Sequence, residues 1–61
     1  MKIESSKTYR VIKWTATSDA DLGRLPGSDV KRLLAGYTYD ESMELWFSAK
    51  AKVGYEVTEV A

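Results

Sequence analysis

Residues 38–60, TYDESMELWFSAKAKVGYEVTEV, decide the fold of this chain. Thr38 and Glu41 have the T-x-x-E spacing of a capping box, in which each side chain satisfies a backbone N–H at a helix start. Gly54 supplies a left-handed stop at the other end. The segment therefore predicts one main amphipathic helix that ends by Gly54 and is followed by a strand over Tyr55–Val60.

The same segment has a competing interpretation as strands. Apolar residues occupy alternate positions, which is the period of a half-buried strand. These positions are Met43, Leu45, Phe47, Ala49, Ala51, Val53, Tyr55 and Val57. Trp46 breaks the alternation, and a helix gathers the polar residues on one face. The end signals therefore favour the helix.

The N-terminal part of the chain predicts a first strand over Lys7–Thr17, which is rich in β-branched and aromatic residues. Its alternation gives two candidate faces, and neither of them is purely polar. We expect the face with Ile12 and Trp14 to point to the core. Tyr9 and Val11 are then exposed.

The middle of the chain is less determined. Ser18–Ser28 has the Asp, Gly, Ser and Pro content of a loop, and Leu22 and Leu25 are expected to hold it to the core. Val30–Tyr37 fits a short helix capped by Ser28, and this interpretation is preferred. The alternative is a second strand that pairs with the first one.

These elements predict one small domain, residues 1–61, of the α+β class. It consists of a short antiparallel sheet of two to three strands packed on one main amphipathic helix. A chain of this length buries only about 60% of its unfolded surface, and without Cys or His it has no disulfide or zinc site to staple it. We therefore expect Trp14 and Trp46 in the core.

Charge is balanced overall but unevenly placed. Residues 1–36 carry seven basic and four acidic residues, a balance of +3, whereas residues 37–61 carry two basic and five acidic residues, a balance of −3. Binding to duplex nucleic acid usually needs a clearer basic excess. The folded surface is expected to be dipolar if the two halves stay apart.

Catalysis is poorly supported by the residue types present. The chain has no His and no Cys, which are the commonest acid-base and nucleophilic groups at neutral pH. Asp19 and Asp21 fit turn chemistry, and Asp40 and Glu41 fit a helix start. The sequence therefore predicts no enzyme activity, no cofactor and no metal site.

The N-terminus lacks the apolar run of a signal peptide, and no stretch approaches the roughly 20 apolar residues that span a bilayer. The sequence accordingly predicts a cytoplasmic protein that does not enter the membrane.

The leading functional hypothesis is a small non-catalytic protein-binding module or inhibitor that attaches to a larger protein. The expected partner contacts are Tyr9, Arg10, Lys13, Arg24, Lys31 and Arg32. An exposed sheet edge can add backbone pairing with the partner. One alternative is a nucleic-acid-binding module that uses the same basic residues, with Tyr9 or Trp14 for stacking. Another is a structural subunit whose core is completed by copies of itself.

The C-terminal half resembles the small host-RNA-polymerase inhibitors of the T-odd coliphages. The shared residues are Thr38, Asp40, Glu41, Glu44, Leu45, Gly54, Glu56, Val57, Thr58 and Val60. The resemblance implies a phage origin, a compact α+β fold with one helix on a short antiparallel sheet, and action by surface complementarity with a larger machine. Glu59 and Ala61 replace basic residues of these inhibitors, so polymerase inhibition itself is not implied.

Overall fold

The fold is a twisted sheet with one short helix on one side. The computed structural model describes residues 1–60, and within them the elements are β1 Thr8–Trp14, β2 Asp19–Pro26, α1 Gly27–Leu33, β3 Thr38–Asp40, β4 Leu45–Ser48 and β5 Val53–Glu59. The five strands form one antiparallel sheet in the order β2-β1-β5-β4-β3. The prediction of two to three strands packed on one main amphipathic helix is therefore wrong, because the described chain is mostly sheet.

Two β-hairpins replace the predicted main helix. The Asp40 carboxylate accepts hydrogen bonds from the backbone N–H groups of Ser42 and Met43, at 2.9 and 3.2 Å, and so stabilises a turn. The second turn ends at Lys52, which has a left-handed φ of 57°, and Gly54 lies inside β5. The end signals misled because an Asx turn and a helix start use the same residue types.

The first predicted strand is confirmed over Thr8–Trp14, but its two faces are reversed. Tyr9 and Val11 are buried, whereas Trp14 is 40% exposed. The connection from β2 at one edge to β3 at the other edge must cross one side of the sheet. Helix α1 crosses on the side of Tyr9 and Val11 and buries Val30 there.

Residues 18–28 are not a loop, because most of them form the edge strand β2, Asp19–Pro26. The strand contains a bulge, in which Leu22 is the extra residue and Gly23 takes a left-handed φ of 79°. The Asp21 carboxylate accepts the Gly23 N–H at 2.8 Å. The turn-forming residues of this segment thus build an irregular strand.

The helical alternative for residues 30–37 is confirmed in part. Helix α1 covers Gly27–Leu33, and a turn leads from it to β3. Ser28 does not cap the helix, which begins after Pro26 without a side-chain cap. Val30 and Leu34 are buried and attach this segment to the sheet.

The core lies between α1 and the sheet. The last predicted strand is confirmed as Val53–Glu59, with Tyr55 and Val57 inward. The buried apolar residues are Ile3, Tyr9, Val11, Val30, Leu34, Tyr55 and Val57. Leu25 packs against this core as predicted, whereas Leu22 is 40% exposed.

Residues 3–7, here called the N-terminal strap, close one end of the core. Ile3 is buried, and the Glu4 N–H donates to the Tyr9 hydroxyl at 2.8 Å. The Lys7 carbonyl accepts the Gly27 N–H at 2.7 Å. The strap therefore joins the start of β1 to the start of α1.

The topology keeps the two charged halves of the sequence apart. Residues 1–36 build β2, β1 and α1, and residues 37–60 build the other three strands. Because the sheet order is β2-β1-β5-β4-β3, the half with balance +3 and the half with balance −3 lie side by side. The expected dipolar surface follows from this order.

Candidate functional site

The side of the sheet opposite α1, here called the open face, carries the candidate site. Strand alternation places every second residue of β1 on it, from Thr8 through Ile12 to Trp14. The packing of α1 is on the other side, with Tyr9 and Val11. No element within residues 1–60 covers the open face, although it carries several large apolar side chains.

In one cross-strand row of the open face, the middle residue has no side chain. Trp14 on β1 is paired with Gly54 on β5, and Gly54 is paired with Phe47 on β4. A Cβ atom at Gly54 would meet a Leu45 methyl at 3.5 Å and the Phe47 ring at 3.8 Å. The glycine therefore forms the floor of a groove between two aromatic side chains.

This groove has a volume of about 310 Å³ and is mostly apolar. Its lining residues are Trp14, Thr15, Ala16, Met43, Leu45, Phe47, Lys52 and Gly54. Trp14, Met43 and Phe47 are 40%, 55% and 39% exposed, although they are among the largest apolar residues of the chain. Clustered exposure of this kind marks a binding surface in soluble proteins, whereas isolated exposed apolar residues do not.

Charged residues occupy the rest of the open face. Arg10 and Arg24 are cross-strand neighbours, and Arg10 is paired with the Asp21 carboxylate. The Arg10 guanidinium and the Gly23 N–H hold the pKa of Asp21 below its usual value. Glu56 lies in the centre of the face, next to Ile12 on β1.

The charges on and around this face are mixed, with a small acidic excess. Among the described residues, three basic groups (Arg10, Arg24 and Lys52) stand against five acidic groups (Asp19, Asp21, Asp40, Glu41 and Glu56), a balance of −2. A phosphate backbone is not attracted by such a surface. The open face is therefore suited to a partner that is largely apolar where it makes contact.

Both edges of the sheet are protected from strand addition. The β2 edge contains the bulge, the Asp21 side chain takes up the Gly23 N–H, and Pro26 lacks an N–H altogether. The opposite edge, β3, is only three residues long, Thr38–Asp40. Bulges, charged residues and short strands are the usual means of preventing edge pairing. The edges are therefore poorly suited to strand addition, and the open face is the candidate contact surface.

The predicted partner contacts do not form one cluster. Arg10 and Arg24 are adjacent on the open face. Lys13 lies on the other side of β1, where it is the cross-strand neighbour of Tyr55. Lys31 and Arg32 are on α1, and Arg32 forms an ion pair with Asp29. These three residues are therefore on the helix side of the sheet.

Tyr9 is not available to a partner, so its expected role in contact or stacking is wrong. Its side chain is 1% exposed, because α1 covers this face of β1. Trp14, which was expected in the core, is exposed instead. Trp46 is half-buried and packs against the core beside Tyr39, with ring centroids 5.2 Å apart.

Sequence analysis missed Leu45, Phe47 and Met43 as surface residues. The signal was present in their alternate spacing, which is the period of a strand. It lost to the end signals of a helix, in which Met43 and Phe47 belong to the buried stripe with Trp46 and Val53.

Comparison with protein-family models, with curated proteins and with solved structures gives no match to this chain. The described part of the chain contains no helix with the length and apolar character needed to cross a bilayer, and the cytoplasmic location stays a prediction. Residues 1–60 also contain no group of three or more acidic side chains placed to hold a metal ion. The resemblance to phage inhibitors is tested by none of the comparisons, and the helix start that carried it is a strand here.

Proposed function

We propose that this protein is a non-catalytic binding module that docks the open face of its sheet on another protein chain. The apolar groove between Trp14 and Phe47 carries this proposal. Apolar and aromatic anchors that enter such grooves supply most of the free energy at protein interfaces. The absence of His and Cys from the sequence agrees with a binding role.

The arrangement of charges supports a protein partner more than a nucleic acid. Single-stranded nucleic acids bind where exposed aromatic side chains stand beside basic groups, and Trp14 and Phe47 meet the first condition. The second condition fails, since Arg10 is neutralised by Asp21 and the charges on and around the face have a balance of −2.

Site-specific photo-crosslinking tests the proposal. A photo-crosslinking amino acid is placed at Ala16, which is exposed and lines the groove, or at Ala35, which is exposed after α1. In cell extract, we expect a crosslinked protein from Ala16 and not from Ala35. The same Ala16 crosslink should be lost when Phe47→Thr is added, because the anchor of the groove is removed.

Two results would count against the proposal. Equal crosslinking from both alanines, or an Ala16 crosslink that survives Phe47→Thr, would show that the open face is not the docking surface. A shift of labelled single-stranded DNA at low salt that depends on Trp14 would instead establish the nucleic-acid alternative.

A further inference from the structure

We propose that the chain docked on the open face is a second copy of this protein, so that two sheets form a two-fold sandwich with the helices outside. This inference rests on the proposed function, because it names the partner of the same face. It is drawn from the size of the face, from the register of its side chains and from the placement of its charges.

The size of the face matches what a stable dimer needs. The molecule measures 30 × 20 × 19 Å and has an accessible surface of 4295 Å². The side bounded by the two longest dimensions is about a fifth of the surface of a block of this size, so the open face contributes at most roughly 800 Å² per chain, which is the usual contribution of each partner to a stable interface. A second sheet of the same dimensions covers this area, whereas a short peptide covers only the groove.

The register makes the apolar part of the face self-complementary. In a sandwich whose two-fold axis runs along β5, β1 lies over the partner's β4, since these strands flank β5 on either side. Trp14 then opposes the partner's Phe47, because both residues pair with Gly54. Continuing the β4–β5 register by one residue places Leu45 beside Glu56, which pairs with Ile12, so Ile12 opposes the partner's Leu45. Each contact occurs twice. Gly54 lies near the axis, where the missing side chains leave space for the aromatic rings.

The charges at one end of the face are complementary in the same arrangement. The axis along β5 also places β2 over the partner's β3. Arg24 on β2 makes no ion pair with any residue that the structure describes, and it then lies over the turn of residues 41–44 in the partner. Glu41 in that turn borders a concavity that also contains Phe47, so it lies beside the open face. The contact of Arg24 with the partner's Glu41 is therefore attractive, and it occurs twice in the dimer.

Two contacts in the sandwich are unfavourable. The placement of β2 over the partner's β3 brings Asp21 over the partner's Asp40, and a second contact, on the axis, provides a distinctive test. Glu56 lies at the centre of β5, so the two copies bring their Glu56 carboxylates together across the axis. Like charges at close range repel. Glu56→Gln is therefore expected to strengthen the association, whereas most substitutions in an interface weaken it.

Sedimentation equilibrium of the purified chain, from roughly 1 µM to 1 mM, tests the inference. We expect a monomer–dimer equilibrium in this range. Phe47→Thr should weaken dimerisation by at least about 100-fold, because two anchors are lost per dimer. Lys31→Glu on the outer side of α1 is the matched control for a change of charge and should leave the equilibrium unchanged.

A mixing experiment tests the two-fold arrangement. Arg24→Glu and Glu41→Arg should each weaken their own dimer about tenfold, since each creates two like-charged contacts. An equal mixture of the two variants should recover dimerisation, because only the mixed dimer has opposite charges at both contacts. This recovery requires that position 24 faces position 41 of the other copy.

The failures of the two proposals are distinguishable. A wild-type chain that stays monomeric up to 1 mM, or a dimer that is unaffected by Phe47→Thr, would overturn the second-copy inference. A monomer whose Ala16 crosslink to another protein depends on Phe47 would leave the docking function in place. A dimer whose mixed variants do not recover would refute the two-fold axis along β5.

Discussion

Gly27→Ala is expected to destabilise this protein more than any other exchange of glycine for alanine. Gly27 is buried at the start of α1, where the N-terminal strap passes over it. A Cβ atom at this position would lie 1.8 Å from the Glu4 carbonyl oxygen and 2.7 Å from the Glu4 carbonyl carbon. Both atoms belong to the backbone, so no side-chain rotation relieves the clash and the strap must move.

The cost follows from what the strap holds in place. Displacement of the strap exposes Ile3, whose burial stabilises the folded state by about 1.5–3 kcal/mol. It also breaks the hydrogen bonds of Glu4 with Tyr9 and of Gly27 with Lys7, each of which contributes about 0.5–1.5 kcal/mol. The expected loss in the free energy of unfolding is therefore about 2.5–6 kcal/mol. A chain of 61 residues has only about 3–9 kcal/mol of stability in total. The variant should be partly unfolded at room temperature.

Urea unfolding followed by circular dichroism measures this loss. Gly36→Ala is the control, because Gly36 has a φ of 83° and nothing within 4 Å of a built Cβ. Gly36→Ala should lower the free energy of unfolding by only about 1–2 kcal/mol, which is the cost of a left-handed conformation for alanine. Ile3→Ala should cost about 2–5 kcal/mol in the wild-type chain and almost nothing when added to Gly27→Ala. Equal losses for the two glycine variants, or full additivity with Ile3→Ala, would refute the role assigned to the strap.

Three further outcomes follow from individual positions. Gly54→Ala should raise the free energy of unfolding by about 0.5–1 kcal/mol, measured by urea titration, because alanine is favoured over glycine in a strand and its Cβ makes only ordinary contacts. Lys52→Gly should raise the melting temperature, since Lys52 has a φ of 57°. The ion pair with Arg10 lowers the pKa of Asp21 in the folded state below its value in the unfolded state. The stabilisation from this pair is therefore complete above about pH 4 and is lost as the pH falls through the lowered pKa. Asp21→Asn should therefore reduce the loss of melting temperature on acidification, and an unchanged slope would show that this pair has no effect on stability.

The strands at both ends of the chain could be predicted because their own residues favour them. Thr8–Trp14 and Val53–Glu59 are rich in β-branched and aromatic residues, which favour strands. The two segments pair with each other, so their tertiary contacts agree with this local preference. The central strands were missed for a different reason. Asp40 is equally suited to a helix start and to a turn, and only the pairing of Leu45–Ser48 with β5 decides between them.

The candidate site was harder to predict than the fold, because it depends on which side of the sheet the helix crosses. Both faces of β1 carry apolar residues, Tyr9 and Val11 on one and Ile12 and Trp14 on the other. Alternation establishes that these are two faces but does not say which of them is covered. Sequence analysis assigned the basic residues to one surface for the same reason, although Arg10 and Lys13 lie on opposite sides.

The reversal of the two faces is also the reason for expecting a binding function. Helix α1 has only seven residues, and it contacts β1 and β2 on one side of the sheet. Within residues 1–60, one short helix covers only one side of the five-stranded sheet, so one apolar face remains open whichever way the connection crosses. Had α1 crossed on the other side, Trp14 would be core and Tyr9 would be exposed. Because the helix covers Tyr9 and Val11, the row of Trp14, Gly54 and Phe47 is left uncovered. The burial of the core and the exposure of the groove that we propose as a docking site therefore have the same structural cause.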